Sequence, residues 1–443
     1  MNRFRTWLRL LKNYPSAAAG LAIIILLAVL AVCVVLAIPY RQAVELWRGG
    51  EHWREFPVNA RPLAADWLRR EKMSRTIIVC SREAAVEEEP FPGGRYLRFP
   101  LLLDYRYDQF PSEITFFSNA VYRTSGPFVR LTWHTPDGRE ISLGGQRLAR
   151  RDRVLISGDL SLERRFGMPP ETGLFIKEQT DAGNTVLKGI YKLEVEAILF
   201  EEDAELEARL VFYGNVHGLA GTDHQRRDLM VALLWGVPVA LSFGLLAALG
   251  TTFTTLIIAA CGVWFNGWID AVIQRITEVN MILPLLPILV MIGTLYSTSI
   301  WVMLAVVILM GIFSAGIKMY RAMLLPLREA PYIEAARAYG TGSSRIILHY
   351  MIPRILPVLI PGFVTLIPTF VFLEASLAIL GLGDPVLPTW GKILNDAQSQ
   401  SALYNGHYYW VLAPAAFLMI TGMGFAMLGF AMDRVFNPRL RKI

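Results

Sequence analysis

The sequence predicts an α-helical polytopic membrane protein of about six transmembrane helices, with a mainly-β, sandwich-like domain inserted after the first helix. Three observations carry that prediction. Of the 443 residues, 54% are hydrophobic and only 18% charged, and the mean hydropathy is +0.40, which is too apolar for an ordinary water-soluble chain. The apolar residues concentrate in two blocks, 21–39 and 229–432. Between the blocks, residues 41–220 carry many Arg, Glu and Asp and alternate apolar with polar positions, as half-buried strands do.

The first span follows Pro15 and runs through AAAGLAIIILLAVLAVCVVLAIP without a charge, more than the ~20 residues that cross a bilayer core. A cleaved signal peptide is the competing reading, but its apolar region is only ~7–15 residues long and is followed by a small-x-small exit that is not clear here. Five further spans are expected at about 231–262, 279–297, 299–320, 355–380 and 408–431. All are rich in Gly, Pro, Ser or Thr, which membrane helices tolerate because neighbouring helices satisfy freed backbone groups and small residues permit close packing.

Orientation follows from charge. Arg3, Arg5, Arg9 and Lys12 precede the first span, Lys318, Arg321 and Arg328 follow the fourth, and Arg434, Arg439, Arg441 and Lys442 follow the sixth. A six-span count puts all three groups on one side, and cations flanking spans mark the cytoplasmic side. Both termini are therefore expected inside and residues 41–220 outside. The same distribution accounts for the net charge of +6 without nucleic acid as a partner.

The expected division is thus 1–40 for the N-terminal tail and first span, 41–220 for an extracytoplasmic insert and 221–443 for the membrane core. Within the insert, EITFFSNAVY, PFVRLTWHT, YKLEVEAILF and ARLVFYG read as strands of a sandwich-like domain covering about 75–215, and Pro136-Asp137-Gly138 reads as a turn. In residues 41–74, Trp47, Trp53 and Trp67 stand among charged residues and are expected against the membrane surface, where Trp is favoured.

Enzymatic and metal chemistry find little support. Cys33, Cys80 and Cys261 offer no disulfide framework, and His52, His134, His217, His224, His349 and His407 are dispersed without metal-ligand spacing. There is no GxSxG nucleophile context. Nor is there a GxxxxGK[ST] loop to cradle nucleotide phosphates, so no cofactor is expected on this chain and any ATP-driven work needs an external motor.

The segment 328–353 is the most informative. Pro331 suits a first helical turn, Glu334 sits where a carboxylate complements the helix dipole, and Ala335, Ala336 and Ala338 favour helix. Gly340 is placed to close that helix in the left-handed conformation. A second helix is expected to be capped from Thr-Gly-Ser-Ser, to put Ile346, Ile347, Tyr350 and Met351 on one face, and to end before Pro353.

EAARAYG, followed thirteen residues after its Gly by Pro353, resembles the EAA signature of ABC importer permeases. GTDHQRRD at 221–228, GWIDAVIQR at 267–275, LEASLAILGLG at 373–383, PTWG at 388–391 and the closing DRVFNPRLR resemble the dipeptide, oligopeptide and nickel branch, in order and spacing, over residues 1–40 and 218–443. The resemblance implies a type I ABC importer permease fold in a bacterial or archaeal cell membrane. It also implies a second permease subunit, two ATP-binding subunits that use ATP and Mg, and an extracytoplasmic solute-binding protein. Glu334, Ala335, Ala336, Gly340, Ile347 and Pro353 would then couple the chain to an ATPase, and Gly221, Thr222, Asp223, Arg227 and Asp228 would form the external motif. Gln225 and Arg226 depart from that motif, which has Leu and Gly in their places. His349 and Tyr350 also stand where a basic residue and His are often found. The family's loop between its first two spans is far shorter than 41–220, so the resemblance describes nothing of the insert.

Ionisable groups at membrane depth are pathway or gate candidates. Glu374, near the outer end of the fifth span, would contact cargo or lie as an interfacial carboxylate. Asp270, Arg275 and Glu278 would form gate ion pairs or a solvated loop face. The competing function is a membrane-anchored ligand-binding or signalling protein that senses through the outer β-domain.

Overall fold

The computed structural model describes residues 15–67, 71–180 and 183–436. The cationic groups at Arg3, Arg5, Arg9 and Lys12, and at Arg439, Arg441 and Lys442, lie outside the described residues, as does the side chain of Arg434. The chain forms two compact units, Met1–Arg48 with Val231–Ile443, and Gly49–Met230. The helix Tyr40–Arg48 therefore goes with the membrane unit, and the 221–230 segment with the insert.

The membrane unit is helical. Helix α1 (Pro15–Ala37) is apolar all round, with Ala17, Gly20, Leu27 and Val34 buried along one stripe and Leu26, Val29, Val32 and Leu36 exposed, the pattern of a helix with lipid on its outer side. Helix α2 (Tyr40–Arg48) follows. Helix α3 (Leu229–Phe265) has 37 residues, about 55 Å at 1.5 Å per residue, so it outruns a ~30 Å hydrocarbon core.

Two expected spans are each broken in two. Helices α4 (Gly267–Ile282) and α5 (Leu285–Leu295) meet at 77°, and α6 (Ile300–Ile312) and α7 (Ala315–Arg328) at 44°. The first break lies inside the expected 279–297 span because the ring of Pro284 forces Leu283 out of the helical region, to φ −71° and ψ 125°. At the second, Ser314 restarts the helix by accepting the Gly316 N–H, and the Asn280 amide donates to the Met310 and Phe313 carbonyls left at the break. Counting each bent pair as one, up to six spans are present among the described residues.

Helix α8 (Pro331–Ala338), α9 (Ile352–Leu377), α10 (Trp390–Ser399) and α11 (Tyr409–Phe436) complete the unit. Close packing depends on small residues at named crossings. A Cβ on Gly20 would come within 2.7 Å of the Gly424 carbonyl oxygen and 2.9 Å of the Leu428 nitrogen, so α1 and α11 cross backbone to backbone.

The second unit is a β-sandwich. One sheet has the order β1 (Ile77–Cys80), β11 (Glu205–Tyr213), β4 (Glu113–Val121), β7 (Arg151–Leu155). The other runs β2 (Glu87–Phe91), β3 (Gly94–Tyr105), β10 (Gly189–Leu199), β5 (Phe128–His134), β6 (Glu140–Arg147). A small ribbon, β8 (Ile176–Thr180) with β9 (Gly183–Val186), falls between β7 and β10 in the chain. Alternation sends Phe99, Leu101, Leu103 and Tyr105 of β3 and Tyr191, Leu193 and Val195 of β10 to one face, where they share a core with Ile114, Phe116, Leu210 and Phe212 of the facing sheet. Trp133 sits in that core and donates its indole N–H to the Leu174 carbonyl at 3.3 Å.

The expected Trp belt is corrected. Trp47 and Trp53 are 2% and 6% exposed, and of the three only Trp67 stands in the open, at 85%. Large aromatic surfaces gain more from protein packing than from a lipid interface when a core is within reach.

Candidate functional site

The coupling segment is built as a short exposed helix with a firm stop. Pro331 occupies the first turn of α8 after an extended Ala330, and Glu334 lies in that turn. Ile333 and Ala336 are buried with Leu256, Val263, Ile346 and Ile347 in one cluster, whereas Glu334, Ala335 and Tyr339 face outward, Tyr339 at 91% exposure. Gly340 takes φ +74°. Its N–H reaches the Arg337 carbonyl at 2.9 Å and the Thr341 N–H reaches the Ala336 carbonyl at 3.0 Å, the paired closure that terminates a helix on a left-handed residue. The Arg337 guanidinium lies 4.9 Å from the centre of the Trp264 ring at the end of α3, a cation–π contact tying α8 to that helix.

The second half of the segment differs from expectation. The chain restarts at Ser343 behind Gly342, with no side-chain cap, and widens into a π-helical stretch over Ile346–Met351 that runs directly into α9. Pro353 does not stop the helix. It sits in the first turn of α9, exposed, and the wide turn before it accommodates the lost N–H and the ring. Ile346, Ile347 and Met351 are buried as expected, but Tyr350 is exposed.

Asp270 does not pair with Arg275. It is 7% exposed on α4 and accepts from Arg321 of α7, with Nε 3.0 Å from both carboxylate oxygens and a terminal nitrogen 2.6 Å from one. Such a fork-to-carboxylate pair fixes geometry as well as charge. Arg275 is exposed and pairs with Glu278 at 3.2 Å, which Lys318 approaches at 3.7 Å. The sequence offered Arg321 only as an orientation cation, because the fifty-one residues separating it from Asp270 hide the partnership.

Glu374 is 7% exposed on α9, with the Thr389 side chain beside its carboxyl. Thr389 also caps α10, accepting the Lys392 N–H at 3.2 Å. The next residues of PTWG lock the junction: the Trp390 indole donates to the Leu233 carbonyl at 2.8 Å, and a Cβ on Gly391 would stand 2.5 Å from that of Ala378. A π-helical stretch over Ala378–Leu382 follows α9 and breaks at Gly381, which takes φ +84°.

The external motif folds on itself and onto residues 56–60. Asp223 accepts the backbone N–H groups of Gln225 and Arg227, both at 2.8 Å, and the Arg227 Nε at 2.5 Å, all but sealed from solvent. The Thr222 hydroxyl donates to the Pro57 carbonyl at 2.7 Å and accepts the Ala60 N–H at 2.9 Å. Gly221 takes φ +80°. Asp228 accepts the Met230 N–H at 2.8 Å in the first turn of α3; burial raises its pKa above the ordinary carboxylate range. Arg226, standing where the resembled family has Gly, also takes φ +67°. It is held there by a 2.6 Å ion pair with Glu113, a 2.7 Å bond to the Phe56 carbonyl and the face of Tyr213 at 4.4 Å.

A multi-pass helical core with an exposed helix between a broken span and α9, and an inserted β-sandwich, defines an integral membrane protein. Residues 231–442 match the model of the binding-protein-dependent transport system inner membrane component family. It is similar to the dipeptide transport system permease protein of Alkalihalophilus pseudofirmus, 28% identical over 224 residues that cover 50% of this chain and 72% of that protein. The corresponding dipeptide permease protein of Bacillus subtilis is 26% identical over 223 residues, 50% of this chain and 69% of that protein. The glutathione transport system permease protein of Pectobacterium atrosepticum is 26% identical over 224 residues, 50% and 72% of the two chains. The chain is thus the inner-membrane permease component of an ABC importer, with ATP hydrolysis in a partner ATPase and a binding protein in the same complex. The anchored-sensor reading is not favoured.

Proposed function

We propose that this permease carries peptides or a related small solute, pairs with a second permease subunit, and is driven by two ATP-binding subunits, one of which docks on α8. The names of its relatives, which are dipeptide and glutathione permeases, support the cargo class. The observation that carries the coupling assignment is the mounting of α8. Its inner face is buried against α3 and the start of the fifth span, its outer face is bare, and both of its ends are stopped. A push on such a helix travels into the spans instead of being lost in a flexible loop. The positive-inside pattern supports termini in the cytoplasm and the insert outside.

In this reading Glu374 holds the α9–α10 junction and Asp270 with Arg321 clamps α4 to α7. Cargo would pass elsewhere. Glu334→Lys and Gly340→Pro should abolish cargo uptake into ATP-loaded vesicles while membrane insertion is unchanged. Normal uptake by both variants would show that α8 is not the coupling element. No ATP-dependent uptake by the unaltered complex would instead favour the anchored-sensor class.

A further inference from the structure

We propose that the inserted β-sandwich carries a binding site of its own for a short peptide with free termini. The site is a cavity of about 590 Å³ on the outer face of the four-stranded sheet. That volume lies within the ~300–1,000 Å³ range of small-molecule sites.

The register of the sheet builds it. Phe117 of β4 stands directly opposite Arg209 of β11 on one side and Arg153 of β7 on the other, and Asn119 stands opposite Arg151. Directly paired residues share a face, so a row of guanidinium groups flanks an aromatic floor. Arg153 lies over the Phe117 ring at 5.9 Å. The other wall is the segment around the short helix Glu51–Trp53, which contributes Glu51, Arg54 and Glu55.

Both signs of charge therefore line one cavity. Glu51 pairs with Arg54 at 3.2 Å and with Arg151 at 3.7 Å, Glu55 pairs with Arg209, and Arg153 pairs with Glu113 at 2.8 Å. The arginines and both glutamates of the wall are a third or more exposed, and exposed pairs of this kind hold together only weakly. An incoming carboxylate can exchange for Glu51 or Glu55 at an arginine at little cost, and gains the two-pronged geometry that guanidinium offers. The released glutamates are then available to an ammonium group. A ligand carrying one carboxylate and one ammonium, with side chains to lie on Phe117, satisfies both halves. A short peptide with free ends is that ligand.

The inference rests on peptides being the cargo class proposed above, and it adds a receiving site on the permease itself. The test uses the full-length chain purified in lipid nanodiscs, with a library of free-terminus tripeptides and the same library acetylated and amidated, read by calorimetry. Saturable binding of the free library is expected, weakened at least tenfold by blocking the termini and at least tenfold in Arg209→Met and Arg151→Met. Arg209→Lys, which keeps charge but loses the fork, should fall between. Circular dichroism confirms that the variants are folded. No saturable binding, or binding indifferent to end-blocking and to these variants, overturns the inference. Peptide uptake by the assembled importer, measured in parallel, reports on the cargo reading separately. Uptake without binding to this chain removes only the site, whereas absence of peptide uptake removes the cargo class.

Discussion

The clamp between Asp270 and Arg321 predicts an asymmetry between two single variants. The Asp270 side chain is 10% exposed and that of Arg321 34%. Removing the arginine strands a carboxylate that cannot reach water, and breaking a buried pair in this way costs about 3–5 kcal/mol. Because water reaches part of the pair, the lower end applies, and Arg321→Ala should cost about 3 kcal/mol. Removing the carboxylate leaves a guanidinium on a flexible stem that can turn its head outward, so Asp270→Ala should cost only about 1 kcal/mol. The double variant leaves no stranded charge and should recover about 2 kcal/mol of the Arg321→Ala loss. The assay is thermal unfolding of the purified protein. At roughly 2–4 °C per kcal/mol, Arg321→Ala should melt about 6–12 °C below wild type and the double variant should regain most of that. Equal losses in the two single variants, or a double variant as unstable as Arg321→Ala, would refute the reasoning, because the energy would then lie in packing and not in an unpaired buried charge.

Other consequences can be checked alongside. Arg226→Ala keeps a side chain at positive φ but loses the Glu113 and Tyr213 contacts, whereas Arg226→Gly loses the same contacts and relieves the backbone, so chemical unfolding should find Ala worse than Gly by about 1 kcal/mol. Gly20→Leu should separate α1 from α11, since the Cβ would meet backbone that cannot rotate away; a cysteine pair placed across that crossing should lose its crosslink. Glu201 accepts the N–H groups of Arg123, Thr124 and Ser125, which hold its pKa down to about 2. Its folded value lies below the ordinary ~4.3, so its contribution is present above that pH and is lost as pH falls toward 2. The stability gap between wild type and Glu201→Gln should therefore close between about pH 5 and pH 2; a gap that stays constant would contradict the assignment.

Much of the membrane unit was legible because lipid imposes a coarse requirement: about twenty apolar residues, cations on one side, small residues where helices touch. The α8 helix and its glycine stop were legible for a different reason, since capping is local chemistry read from neighbouring residues. What failed to show was how competing local signals are resolved and which side chains the packing covers. The strongly apolar run around Leu283 masks the break that the following Pro284 imposes. Pro353 reads as a helix stop because the wide turn before it is not visible in composition. The charged residues around Trp53 point to a surface, while packing against neighbours such as Phe56, with ring centres 4.9 Å apart, buries it.

By itself the sequence determined the class of protein, the positions of most spans, the left-handed closure at Gly340 and the presence of a strand-rich insert, all set by local backbone preference and by the demand for apolar length. Only the tertiary structure decided that Asp270 answers to Arg321, that Arg226 takes a glycine's conformation under the hold of Glu113 and Tyr213, and that Arg209, Phe117 and Arg153 stand in one row. Those depend on strand register and helix crossing, which bring together side chains that share no local signal, through packing that is satisfied by the whole fold at once.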